Sequence, residues 1–168
     1  MTEKYRLRHP AAKGRYVGRP IREEVLRVSF RDIQEAFEFV SVGDGGEHEA
    51  FLCKETGKIY YHSEFADDLD ELPDDVDDSR KFLQIPDKRE LDLGKPLALD
   101  FAREFLVDDF DDVRQLFSKK GAYARFKDLL QRRGALDQWY AFEAKAEEIA
   151  LRTWCELNSI EVTEPPGA

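Results

Sequence analysis

The chain has 168 residues, about one ordinary domain, and 42% hydrophobic residues with twelve phenylalanines, six tyrosines and two tryptophans are enough to fill a packed core. A formal charge of −10 argues against nonspecific binding of nucleic acid by the whole surface. No window approaches the roughly 20 apolar residues of a membrane span, and no apolar core follows the N-terminal charges, so no membrane association is expected and the expected location is the cytoplasm.

Charge is distributed unevenly. Residues 1–27 carry Lys4, Arg6, Arg8, Lys13, Arg15, Arg19, Arg22 and Arg27 against Glu3, Glu23 and Glu24, while the run from Glu64 to Asp78 carries nine carboxylates and no lysine or arginine. Pro10, Gly14, Gly18 and Pro20 interrupt the first segment, which predicts a basic, flexible arm over 1–27 that serves as a solubilising terminus or as an electrostatic tether. Ile21, Val25, Leu26 and Val28 fit a short strand or a helical lead-in equally well.

Ser29 opens the first expected helix, 30–40, because Ser29-Phe30-Arg31-Asp32 has the form of a capping box and Phe30, Ile33, Phe37 and Val40 share one face. Gly43-Asp44-Gly45-Gly46 then breaks the chain, without the flanking strand and Lys-Ser/Thr that a phosphate loop requires. Residues 49–54 and 58–62 read as an antiparallel hairpin turned at Gly57. Ala50, Leu52, Ile59 and Tyr61 are its inward set, yet Phe51, Cys53 and Tyr60 make the other face apolar too, so that face needs cover from the helices or from a partner. Phe65, Leu69 and Leu72 have helical spacing, which predicts a short acidic helix followed by an exposed acidic loop. The loop lacks the ligand register of a calcium-binding loop. Residues 80–86 form an expected third strand, ended by Pro86.

From Pro96 the helical period takes over, with Leu97, Phe101, Phe105 and Leu106 on one helix and Phe110, Val113, Leu116 and Phe117 on the next or its continuation. Asp108, Asp109, Asp111 and Asp112 suit the second helix's N-terminal dipole. The stretch 122–133 has no proline, glycine or β-branched residue. Its Ala122, Phe126, Leu129, Leu130 and Arg133 share a face with Tyr123 at the edge, Gly121 begins it, and Gly134 ends it in a left-handed conformation. Leu136 to Leu157 is the last helix, anchored by Leu136, Trp139, Tyr140, Phe142, Ile149 and Trp154.

Gly121-Ala122-Tyr123-Ala124-Arg125-Phe126-Lys127-Asp128 followed by Trp139-Tyr140-Ala141-Phe142 resembles uncharacterised protein family 0158, a bacterial family, in order and spacing from about Phe30 to Ile160. Tyr123 and Ala124 stand where that family's pattern has Phe and Arg. The resemblance implies no activity.

The expected fold is α+β, a small antiparallel sheet of two or three strands packed against a bundle of about four to five helices, in one domain over 28–160 with a disordered tail over 161–168. His9, His48 and His62 are scattered, and Cys53 and Cys155 lack metal-site or disulfide spacing and read as buried thiols. No catalytic residue, cofactor or metal is therefore assigned. The expected function is a noncatalytic protein-interaction or regulatory module, its contact surface formed by Arg125, Lys127, Arg132 and Arg133, its partner another protein or a second copy. The alternative is a nucleic-acid-associated protein that uses the basic arm and the basic helix.

Overall fold

The computed structural model describes residues 25–43 and 45–164. The expectations for the arm before residue 25 and for the tail after residue 164 lie outside the described residues. The element order is β1 (Leu26–Ser29), α1 (Phe30–Val40), β2 (His48–Cys53), β3 (Ile59–Ser63), β4 (Phe82–Gln84), α2 (Lys95–Phe105), a 3-10 turn (Val107–Asp109), α3 (Phe110–Leu116), α4 (Ala122–Arg132), α5 (Leu136–Leu157) and β5 (Ile160–Thr163). The fold is α+β, with a three-stranded antiparallel sheet in the order β3-β2-β4 and a separate parallel pair, β1-β5.

The parallel pair has no counterpart in the sequence reading. Leu26 to Ser29 align with Ile160 to Thr163, so one of the two readings left open for the segment before α1 is realised as a strand, and the arm expected over 1–27 runs two residues too far, since Leu26 and Arg27 belong to β1. The expected tail begins three residues too early, because Glu161, Val162 and Thr163 belong to β5. Such pairing joins the two ends of the domain: the alternating, β-branched Ile-Glu-Val-Thr has the pattern of a strand, but nothing local in it names a partner. α1 occupies its expected span, but Ser29, also the last residue of β1 (φ −61°, ψ 129°), makes no side-chain capping bond.

β2 and β3 pair with Ala50 opposite Tyr61 and Leu52 opposite Ile59, and Leu83 of β4 lies opposite Leu52. This face meets α1: Ala50, Leu52 and Ile85 are buried with Phe30, Ile33, Phe37 and Val40, and the rings of Phe39 and Tyr61 meet edge to face at 5.1 Å. The opposite face carries Phe51, Tyr60 and Phe82, and both phenylalanines are buried.

Its cover comes from the acidic segment itself. β3 and β4 both run antiparallel to β2 on opposite edges, so they are parallel to each other. The chain leaving Ser63, level with His48, must return the length of the sheet to reach Phe82, level with Cys53. Because α1 holds one face, the return crosses the other, where Lys58 pairs with Asp70 at 3.1 Å while its ammonium sits 4.5 Å from the centre of the Tyr60 ring. Leu69, Leu72, Pro73 and Val76 are half-buried along this path. The expected acidic helix does not form: the segment consists of turns and bends, and Phe65 is 72% exposed. Helical geometry would stack Glu64 on Asp68 and Asp67 on Glu71, like charges four residues apart, in a run rich in the poor helix former Asp.

The C-terminal helices are joined by rings. Trp139 of α5 meets Phe101 of α2 at 5.3 Å and Phe126 of α4 at 5.1 Å, both edge to face, and Phe117 after α3 meets Phe126 at 5.5 Å. Phe101, Phe126 and Trp139 are fully buried. α4 is bracketed as expected by Gly121 and Gly134, both at positive φ (75° and 65°), where glycine avoids the strain a side chain would bring. Two of the expected anchors of α5 face water, since Tyr140 and Ile149 are 43% and 57% exposed.

Truncating Phe101 to Ala is expected to cost about 3–5 kcal/mol, as for a large side chain removed from a filled core, whereas Tyr140→Ala is expected to cost less than about 1 kcal/mol. Urea unfolding of the two variants checks the difference, and equal losses would contradict the packing described.

Candidate functional site

α3 and α4 follow one another through the tight turn after Phe117, in which Ser118 and Lys119 donate backbone bonds to the carbonyls of Gln115 and Leu116. Phe117, Tyr123 and Phe126 point inward and hold the two helices to the ring cluster. On their outer side a groove of about 570 Å³ is left, lined by Asp112, Gln115, Leu116, Ser118, Lys119, Arg125, Leu129 and Arg132. It continues along α4 past Asp128 and Gln131, sharing Leu116, Arg125 and Arg132 with the first part. The groove thus has a leucine floor and a rim of three cations and two carboxylates. That balance is positive, in a molecule whose overall charge is −10.

The four cations expected to act together occupy three settings. Arg125 and Arg132 line the groove, Arg132 with its Nε 3.4 Å from the carbonyl oxygen of Asp128. Lys127 lies on the side facing α5, its ammonium 5.6 Å from the centre of the Tyr140 ring. Arg133 is engaged: its Nε and Nη2 donate to the two carboxylate oxygens of Asp109 at 2.8 and 2.7 Å. Arg133 keeps its helical bond to the Leu129 carbonyl, and its side chain reaches the 3-10 turn before α3. Asp109 in turn makes no capping bond to α3, because its carboxylate is turned to the guanidinium. Not assigned to a site by the sequence reading were Asp112, Gln115, Leu116, Ser118, Lys119 and Leu129. The signal available was Ser-Lys-Lys-Gly between two amphipathic helices, which marks a tight helical corner.

A second, smaller cleft of about 220 Å³ lies between α1, the loop before α2, and α5, lined by Phe37, Glu38, Ser41, Lys88, Leu93, Glu143 and Glu147. The Lys88 backbone N–H donates to the Ser41 hydroxyl at 3.1 Å, and the Lys88 ammonium sits 5.0 Å from the centre of the Tyr123 ring, whose hydroxyl is buried without a partner among the described residues. Burial raises the Glu143 carboxyl above its ordinary range, with Lys127 and Lys88 pulling the other way. Burial, then the neighbouring Glu38 and Glu143, raise Glu147.

Cys155 is buried, and burial pushes its thiol up to about 11, so it is unreactive at neutral pH. Cys53 departs from its expected burial: it is half-exposed where β2 meets the turn at Thr56, and although burial raises its thiol, hydrogen bonds with Thr56 and Glu55 bring it below its ordinary value. His48 packs against Phe39 at 5.0 Å, and no group of three or more metal-ligating side chains converges among the described residues. No helix among them is long and apolar enough to cross a membrane.

Comparison with family models, curated proteins and solved structures returned no match for this chain. Residue roles therefore rest on geometry and chemistry alone.

The two carboxylate settings have opposite pH signatures. Hydrogen bonding to Arg133 holds the Asp109 carboxyl below its ordinary range against the effect of burial, so this pair stabilises the fold above the ordinary Asp range and loses its contribution as pH falls through the lowered value. Arg133→Met is expected to lower Tm at pH 7, with the difference from the parent narrowing in acid. Glu147, raised, is least comfortable when ionised. Glu147→Gln is expected to raise Tm at pH 7, with the gain fading as pH falls through the raised value and the parent carboxyl protonates. Thermal melts from neutral into acid pH check both signs, and a Glu147→Gln gain that persists unchanged in acid would contradict this assignment.

Proposed function

We propose that this protein is a noncatalytic interaction module that takes an acidic segment of a protein partner into the groove between α3 and α4. The observation that carries this reading is the pairing of a leucine floor, Leu116 and Leu129, with the Lys119, Arg125 and Arg132 rim on a strongly acidic molecule. A floor of this kind gains by burying an apolar side chain, at about 25 cal/mol per Å² removed from water. The cations select carboxylates on either side of that anchor, and Asp112 and Asp128 disfavour a segment charged at every position.

Nucleic-acid association, the alternative reading, is less well supported. A phosphate track needs several free cations in series. Arg133 is committed to Asp109, Lys127 faces α5, and two carboxylates flank the remaining Lys119, Arg125 and Arg132. Membership of uncharacterised protein family 0158 and a cytoplasmic location belong with this reading as proposals, and neither adds a reaction to it.

Fluorescence anisotropy with a labelled ten-residue peptide carrying one Phe between Asp and Glu residues tests the reading, with the same peptide lacking the Phe and an oligouridylate as comparators. Binding is expected only for the first. Reversing both Arg125 and Arg132 to Glu is expected to weaken it at least about tenfold, the sum of several exposed pairs of about 0.2–1 kcal/mol each turned from attraction to repulsion. Lys120→Glu, on an exposed residue outside the groove lining, is expected to leave it within about twofold. Equal loss in both variants, or tighter binding of the RNA, would overturn the reading.

A further inference from the structure

We infer that the segment which fits the α3–α4 groove is the chain's own acidic crossover, presented by a second copy, so that the protein self-associates groove to segment. The inference rests on the groove being a docking site for acidic segments and names its occupant. Phe65 is the most exposed of the described aromatic side chains, at 72%, and it lies in Glu64-Phe65-Ala66-Asp67-Asp68, an apolar anchor with carboxylates on both sides. Among the described residues Glu64, Asp67 and Asp68 form no ion pair, and all three are exposed.

The crossover is also held ready. Farther along, Asp70 is tied to Lys58 and the Ser79 carbonyl accepts from the Lys54 ammonium, while Asp75–Lys81 and Asp78–Arg80 pair within the segment, so it is fastened to the hairpin while its first residues project. Fastening lowers the ordering cost of docking, since the backbone around Phe65 does not have to be collected from a disordered state. The complementarity is one of kind: an aromatic side chain for the Leu116 and Leu129 floor, and three carboxylates for Lys119, Arg125 and Arg132. The net charge of −10 opposes approach of two copies at long range. At physiological salt the screening length is about 8 Å, so charges away from the contact are damped and the local pairs decide.

An interface made of two different patches predicts complementation. One variant loses the groove cations (Arg125→Glu with Arg132→Glu) and keeps the segment; the other loses the segment (Phe65→Ser, Asp67→Lys and Asp68→Lys) and keeps the groove. Both remain acidic, so mixing them adds no general attraction. Sedimentation velocity of the full chain is expected to show wild-type mass rising with concentration above the 19.5 kDa monomer. Each variant alone is expected to stay monomeric, and an equimolar mixture to form a 1:1 complex. Circular dichroism melts establish that both are folded, and if either is not, the milder Arg125→Gln or Asp68→Asn change is used in its place.

A mixture that stays monomeric while the wild type is also monomeric overturns the inference. So does wild-type association that survives in both variants separately. A labelled peptide of residues 62–71 separates the failures: if a designed acidic peptide binds the groove and this one does not, self-association fails and the docking site stands. If neither binds, both fall.

Discussion

Trp139 is the side chain on which the C-terminal half depends. It is fully buried, it is met edge to face by Phe101 and Phe126, and through those rings it ties α5 to α2 and α4. Each such pair contributes about 0.5–1.5 kcal/mol beyond the area it buries. The indole N–H has no partner among the described residues, a cost of about 1–3 kcal/mol for a buried donor, which the burial of so large a ring offsets. Phe117 and Tyr123 extend the ring network into the corner between α3 and α4, so the angle of that corner is set from inside the core.

The groove follows from this corner. Phe117 turns inward and leaves Leu116 half-buried on the outer side, where with the largely buried Leu129 it forms the groove floor. The Asp109–Arg133 clip closes the arrangement from the far end, joining the residue before α3 to the residue after α4. Rings within and a bidentate ion pair at the end hold the two helices as one rigid piece. A docking site on such a piece needs little reorganisation to bind.

Helix positions were legible wherever a periodic apolar face was bounded by a breaker: α1, α4 and α5 agree with their expected spans to within a residue. The hairpin was equally readable, because Gly57 separates two β-rich runs. What could not be read was non-local. The β1–β5 pair joins opposite ends of the domain, and the crossover covers a sheet face through topology rather than through any pattern of its own. For the site, Arg125 and Arg132 were legible as cations on the outer side of an amphipathic helix. That Lys127 turns toward α5 and Arg133 is consumed by Asp109 depends on the neighbours of α4, and helical periodicity in one element carries no information about them.

The groove is the central element, and nuclear magnetic resonance reads it most directly. With methyl groups of leucine and the Nε–Hε groups of arginine labelled, the chain is titrated with an acidic peptide that carries one phenylalanine. The expected shifts fall on Leu116, Leu129, Arg125 and Arg132, while Arg133, held by Asp109, and Leu97, buried in the core away from the groove, stay in place. Shifts that leave the two groove leucines untouched, or that are spread evenly over every exposed arginine, would contradict a docking site between α3 and α4.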